Sequence, residues 1–443
     1  MSKSSTGDRA DRAHYVGDAV NKPPPLRSTA VKRKPTSRSE TSPTVTEFVG
    51  NLFSRAKTEG SSDIHIEPNK QECTIRIRID GLLRSIQTIS LDFSIRVVSQ
   101  LKILAEMDIS ERRLPQDGRL TLETAENLDI DVRLSTLPTV WGEKVVLRLI
   151  GDPVLNKDLR SMGMSAAQAA QVALEINRPN GLALVTGPTG SGKSQTLYTS
   201  LELLDRTTRN ISTIEDPIEC LLPGINQTAV NPRIGLTFEK GLRTLLRQDP
   251  DVIMVGEVRD TATASTLISA ALTGHFVLST LHTRSALEAV DRLGQLGIPA
   301  YHIAAVCSLF IAQRLVRKLC GLCRVADKRN WDPHVPQLAL NNSRESVEAY
   351  PDAGSLIFRA NPKGCPQCWE GYSGRSGVFE IVAVSPQLAN LITSRKTLSA
   401  MQNQMNEEGQ QSLYTAGLEA VHLGTTSMDE LARIIGFPTQ ATH

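Results

Sequence analysis

Aromatic residues are scarce. Phe, Tyr and Trp together make up 4% of 443 residues, which argues against the aromatic, basic channel that binds single-stranded nucleic acid. An excess of one charge is missing too. The formal net charge is +2, so there is no broad field to gather a polyanion. No apolar run approaches the ~18 residues that cross a bilayer. The N-terminus shows no apolar core behind its charges, which argues against a secretory signal and for a chain that stays in the cytosol. Cysteine is limited to seven residues. Four of them fall into two Cys-x-x-Cys pairs, and in a cytosolic chain that spacing points to metal or redox chemistry rather than a disulfide frame.

What is present suits a globular protein of two or three domains, with 40% hydrophobic residues. Residues 1–44 read as a disordered basic arm, with nine Lys/Arg against four Asp/Glu up to position 45. That arm is either a solvated tail or a tether to a partner or an anionic membrane surface. From 45 to 150 the pattern is strand-rich. Cys73, Ile75, Ile77 and Ile79 alternate with Thr74, Arg76 and Arg78, Asp80-Gly81 signals a hairpin, and Asp92 to Met107 has helical spacing. Leu128, Ile130, Val132 and Leu134 alternate with polar residues, and Glu143 to Ile150 reads as a further strand. Together these predict a small α+β domain. Residues 151–160 read as a linker. From 161 to 443, strand–loop–helix units predict an α/β domain with a mostly parallel sheet, carrying a cysteine-bearing insertion at about 318–370 and a helical region at about 384–438.

Gly187-Pro188-Thr189-Gly190-Ser191-Gly192-Lys193-Ser194 fits the phosphate-loop pattern G-x-x-x-x-G-K-[ST], between an apolar strand and a helix. Its backbone N–H groups and the helix N-terminus would cradle ATP phosphates. Lys193 would contact the β and γ phosphates and Ser194 the Mg²⁺. In Gln248-Asp-Pro-Asp251-Val-Ile-Met-Val255-Gly256-Glu257 an acid stands at each end of an apolar strand. Ligands of parallel sheets sit beyond the carboxyl ends of the strands. Glu257 is at that end, and Asp251 lies roughly 20 Å away at ~3.3 Å per residue. Glu257 is therefore the acid that can orient water, and Asp251 a capping residue at the far edge. Glu215 and Asp216 follow another short apolar stretch. His275 begins a third strand and His282 ends it, so only His282 is placed to sense a γ-phosphate. Cys320, Cys323, Cys365 and Cys368 supply four thiolates, enough for a closed structural Zn²⁺ site.

Between about Ser61 and Leu431 the chain carries, in order, SSDIHIEP, RIRIDGLL, RRLPQDGRL, VRLSTLPTVWGEKVVLRL, GPTGSGKS, TIEDPIE, GINQTAVNP, LLRQDPDVIMVGEVRD, GHFVLSTLHT, QRLVRKLC and GRSGVFEI. In these blocks it resembles the hexameric ATPases of type II secretion and type IV pilus assembly, the GspE/PilB group. The resemblance implies a PAS-like N-terminal domain joined to a RecA-like P-loop ATPase domain with a four-cysteine zinc module. It implies Glu257 as catalytic glutamate, Glu215 as support for metal and water, and His275 and His282 as couplers of nucleotide state to domain position. Arg119 and Arg133 match the N-terminal-domain arginines that reach the phosphates in the family. Pilus-retraction relatives usually lack the cysteine module. Two departures stand out: Thr261-Ala262-Thr263 where the family usually has Glu-Thr-Ala, and Arg284-Ser285 where it usually has Asn-Asp.

The expectation is a cytoplasmic homo-hexameric ATPase, peripheral to the inner membrane, using ATP, Mg²⁺ and Zn²⁺. It would work an inner-membrane platform protein to assemble a pseudopilus or pilus. The arm at 1–44 is expected to stand where many relatives carry a further membrane-docking domain, so a different docking protein is implied. A nucleic-acid-translocating motor is the alternative, and the scarce aromatics and balanced charge disfavour it. A nucleotide-gated scaffold with little turnover is a third reading, and the complete set of catalytic residue types argues against it.

Overall fold

The computed structural model describes residues 44–123, 129–150, 158–329 and 357–436. The basic arm but for its last residue, residues 151–157 of the linker, Leu128, positions 330–356 of the insertion and positions 437–438 of the helical region lie outside the described residues.

The first domain is a six-stranded antiparallel sheet. Its strands are β1 (Asp63–Pro68), β2 (Cys73–Ile79), β3 (Leu82–Ile89), β4 (Gln116–Glu123), β5 (Asp129–Thr139) and β6 (Gly142–Ile150), in the order β3-β2-β1-β6-β5-β4. Period-2 alternation in β2 buries Cys73, Ile75, Ile77 and Ile79 on one face. The helices Val45–Thr58 and Leu91–Leu104 cover that face through Leu52, Phe53, Val97 and Leu101. Asp80 and Gly81 both have positive φ, 50° and 85°, the two-residue turn that matches the twist of paired strands. The helix expected over 92–107 ends earlier, with Ala105 as its C-cap.

The second domain is built on a seven-stranded sheet. Its strands are β7 (Gly181–Thr186), β8 (Ile211–Glu215), β9 (Asn226–Ala229), β10 (Val252–Val255), β11 (Phe276–Leu281), β12 (Cys307–Leu319) and β15 (Tyr372–Ala383), ordered β15-β12-β7-β11-β10-β8-β9. All neighbours are parallel except β12 and β15. The central strands read as continuous apolar runs because both their faces are buried. Leu182, Leu184, Ile253, Val255 and Val277 enter one core. Ala183, Val185, Val252, Met254 and Leu278 enter the other. Helices on both faces close these cores, among them Lys193–Glu202, which follows the phosphate loop, and Thr261–Leu272.

The cysteine insertion leaves the sheet between β12 and β15. Its described part holds a small pair, β13 (Val325–Ala326) with β14 (Phe358–Arg359). The final helical region consists of four short helices, Pro386–Thr393, Leu398–Glu407, Leu413–His422 and Met428–Ile434. Each is opened by a hydroxyl cap, from Ser385, Thr397, Ser412 and Ser427 in turn. The end of the insertion and the start of β15 meet the first domain at the β2–β3 turn and the β3 residue Arg84. There Gly374 N–H donates to Asp80 Oδ2 at 2.9 Å, and the Arg84 guanidinium lies 4.6 Å from the Trp369 ring centre.

Candidate active site and cysteine centre

The phosphate loop lies between the end of β7 and the helix Lys193–Glu202. Gly190 and Gly192 have φ of 78° and 87°, a backbone shape that side chains with a Cβ rarely adopt. Lys193 Nζ donates to the carbonyls of Gly187 and Pro188, at 2.8 and 3.1 Å. Burial pushes the Lys193 ammonium below its ordinary pKa, and Glu257 pulls it back up. Ser191 Oγ is buried with no hydrogen-bond partner among the described residues. A half-buried cation and an orphaned hydroxyl in a glycine-shaped loop fit a bound polyphosphate, and Ser194 opens the helix where a phosphate-bound Mg²⁺ would take its hydroxyl.

Glu257 stands just past β10 on the same edge. One of its carboxylate oxygens pairs with Arg259, and the other is 3.7 Å from His282 Nε2. Burial lowers the pKa of His282 first, Lys193 lowers it further, and Glu257 opposes both. Glu257, His282 and Lys193 thus converge at the carboxyl edge of the sheet. Glu215 ends β8 and is 4% exposed. It accepts hydrogen bonds from the Tyr198 hydroxyl, from Thr213 Oγ1 at 2.6 Å and from Gln227 Nε2 at 3.1 Å. Its carboxylate is thus held by three donors, and burial followed by Glu215 pushes the Tyr198 phenol well above its usual range. Thr213 is two residues before Glu215 on the same strand, whereas Tyr198 and Gln227, 17 and 12 residues away on other elements, left no trace in the sequence pattern.

His275 is not brought to this cluster. It sits at the amino edge, where its Nδ1 is 2.9 Å from the Ala270 carbonyl and 3.2 Å from Thr273 Oγ1. Asp251 is at that edge as well, with its Oδ2 accepting from Asn210 N–H at 2.7 Å.

Arg119 and Arg133 are direct cross-strand partners on β4 and β5. They line a cleft of about 540 Å³ with Asp117, Arg148 and Arg233, the last supplied by the second domain. Sequence reasoning did not single out Arg148 or Arg233. Burial and the like charge of Arg119 lower the pKa of Arg133, while Glu219 and Asp216 of the second domain raise it. Arg133 Nε is buried without a hydrogen-bond partner among the described residues. Arg133 thus lies near enough to Asp216 and Glu219 of the TIEDPIE segment to feel their charge, while Arg148 is paired with Asp63 at 3.0 Å.

The four cysteines meet in one cluster, with all Sγ atoms within 4.8 Å of one another. Cys320 and Cys365 are 3.7 Å apart, Cys323 and Cys368 3.5 Å, and Cys365 and Cys368 3.6 Å. Zn–S bonds of about 2.3 Å in a tetrahedron place sulfurs about 3.8 Å apart, so the thiols fit a structural Zn²⁺. Cys73 and Cys307 are buried in the cores.

Comparisons with known proteins agree with this geometry. The chain is 42% identical over 391 residues to the type IV pilus assembly ATPase PilB of Pseudomonas aeruginosa, covering 88% of this chain and 67% of that protein. It is 43% identical over 397 residues to the type II secretion system ATPase E of Vibrio cholerae, covering 89% and 76%. Among solved structures, the Legionella pneumophila ATPase DotB matches with a TM-score of 0.63 at 20% identity, covering 89% of this chain and 97% of that one. The pilus retraction motor PilT, solved with ADP, matches with a TM-score of 0.56 at 21% identity, covering 88% and 97%. These two support the α/β fold. The family model described as Type II/IV secretion system protein matches residues 38–433, and with the phosphate loop and its acid in place the chain belongs to that family as a P-loop ATPase.

Proposed function

We propose that the protein works as a ring of six copies that hydrolyses ATP to drive assembly of a type II secretion pseudopilus or a type IV pilus. It would act at the cytoplasmic face through an inner-membrane platform protein. The convergence of Glu257, His282 and Lys193 on one sheet edge carries the hydrolytic part of this reading. The names of the relatives support the choice of machine.

In this reading Lys193 leaves the carbonyls of its own loop to bind the β and γ phosphates. Glu257 leaves Arg259 and orients the water that attacks the γ phosphorus, while the bond to the bridging oxygen breaks and ADP carries the charge away. Such a reaction is mostly positioning and charge stabilisation. Arg119 and Arg133 close over the phosphates from the first domain and neutralise developing charge. Bound Mg²⁺, held through Ser194, would supply further neutralisation. Glu215, fixed by Tyr198, Thr213 and Gln227, sets the shape of the neighbouring strand end. Zn²⁺ would hold the cysteine module together.

The purified chain should hydrolyse ATP, with a higher rate when membranes carrying the platform protein are added. Lys193→Ala should abolish both rates. A wild-type chain that turns over no ATP under either condition would leave only a nucleotide-gated scaffold.

A further inference from the structure

β12 passes the phosphate loop on its flank. Ala312 lies opposite Thr186, the last residue of β7, so Gln313 and Arg314 run on beside Gly187 and Pro188. Strand alternation sends their side chains to opposite faces.

Gln313 is fully buried. Thr196, on the helix after the loop, donates to its Oε1 at 2.6 Å. That bond fixes the amide so that its nitrogen faces the loop: a Cβ on Gly192 would sit 2.8 Å from Nε2. Nε2 itself is buried with no hydrogen-bond partner among the described residues. An unpaired buried donor is costly, and here it lies against the backbone that must wrap a phosphate.

On the other face, Arg314 donates from Nη1 to the Gln313 carbonyl at 2.9 Å and from Nη2 to the Arg284 carbonyl at 2.7 Å. Both partners are neutral. Glu380 and Glu288 act on it only at longer range, against a burial that lowers its pKa. Arg314 lines a cleft with Pro188, His282 and Arg259. A Cβ on Gly187 would be 3.3 Å from its Nη1, and its charge reaches Lys193 strongly enough to lower that ammonium's pKa. Two cations therefore flank one loop, with Glu257 and, more weakly, Glu219 acting on the lysine.

We propose that Arg314 contacts the terminal phosphate of bound ATP from the β12 side, and that Gln313 is a positioning residue that holds the loop for it. The guanidinium fork matches two phosphate oxygens, which a neutral side chain cannot do. This arginine comes from the same sheet as the loop, whereas Arg119 and Arg133 approach from the other domain. Arg284, one of the two departures from the family pattern, contributes through its backbone carbonyl alone, which any residue there supplies.

The test uses the full chain and fluorescent ATP and ADP analogues. Arg314→Ala should weaken ATP binding by roughly 10–100-fold and ADP binding by less than about threefold, the size expected of one lost charge-assisted contact. Arg314→Lys should recover part of the ATP preference. Gln313→Leu should weaken ATP and ADP together, since it disturbs the whole loop, and unchanged affinity for both would remove its assigned part. An ATP-to-ADP affinity ratio in Arg314→Ala equal to wild type overturns the proposal and leaves a brace for the Arg284 carbonyl. If Arg314→Ala does not fold, Arg314→Gln keeps amide donors for the two carbonyls without the charge. A wild-type ratio in that variant overturns the proposal equally. Loss of hydrolysis by the wild-type chain would instead bear on the motor reading.

Discussion

At the amino edge of the parallel sheet, Asp251 and His275 stand beside the starts of β10 and β11. At the carboxyl edge, Glu257 and His282 stand just past the ends of the same two strands. Each edge has one acid and one histidine, yet their surroundings differ. Asp251 is spent on the Asn210 N–H, and His275 on the Ala270 carbonyl and the Thr273 hydroxyl. These close the backbone where strands begin and a helix ends. Glu257 and His282 instead face each other at 3.7 Å, with Lys193 acting on both. Residue type does not distinguish a cap from a candidate catalyst here; strand direction does, because a parallel sheet aims its loops and helix N-termini at one edge only.

The strongest way to break the comparison is to remove each acid in turn. Glu257→Gln should lower kcat by about 100-fold or more with ATP still bound, a loss typical of removing a group that acts only in the transition state. Asp251→Asn should leave kcat within about twofold and cost no more than about 1 kcal/mol of stability, since its amide oxygen still accepts the Asn210 N–H without the charge. Equal kinetic losses in the two variants would erase the distinction, as measured by steady-state hydrolysis beside thermal melting. Removing the histidines sharpens it. His275→Ala should cost about 0.5–1.5 kcal/mol of stability through its lost backbone bond, with the rate unchanged, and His282→Ala should change the rate with little effect on melting.

The smallest effect is on pH. Burial is the first cause of the lowered pKa of His65, His282 and His422. Each binds its proton more weakly folded than unfolded. Their stabilising contribution is therefore complete above the unfolded value, about 6.5, and is lost as pH falls below it. The melting temperature should drop on acidification below that point, and His65→Gln should flatten the drop. His65 is the clearest of the three, since both its ring nitrogens are buried without hydrogen-bond partners among the described residues.

Much of this was legible in the sequence where the signal is local. The phosphate loop is a contiguous motif, the cysteine pairs have ligand spacing, and the strand ending in Glu257 has its direction set by the apolar run before it. β1 was not read, although Ile64 and Ile66 alternate with polar residues, because His65 and Asp63 are themselves buried in mid-sheet. The helix Val45–Thr58 carries Gly50 and only three fully buried large side chains, Val49, Leu52 and Phe53, so its period was weak. Tyr198 and Gln227 as partners of Glu215, the placement of Gln313 beside the loop, and the antiparallel pairing of β12 with β15 depend on chain segments that meet only after folding. Arg314 pairs in register with Val378, a contact with no local trace.

β12 also has a consequence for how force travels. Its 13 residues run from the core past Gln313 and Arg314 to Leu319, with a register shift against β15 between Arg317 and Leu319, and the next residue is Cys320. From Arg314 to Cys320 is about 20 Å of extended chain at ~3.3 Å per residue. Trp369, directly after Cys368, and Gly374, near the start of β15, touch Arg84 and Asp80 of the first domain. The strand thus ties the flank of the phosphate loop to the four-cysteine cluster at its far end, and the segment just after that cluster touches the first domain, so a displacement at the loop has a continuous covalent route to that contact.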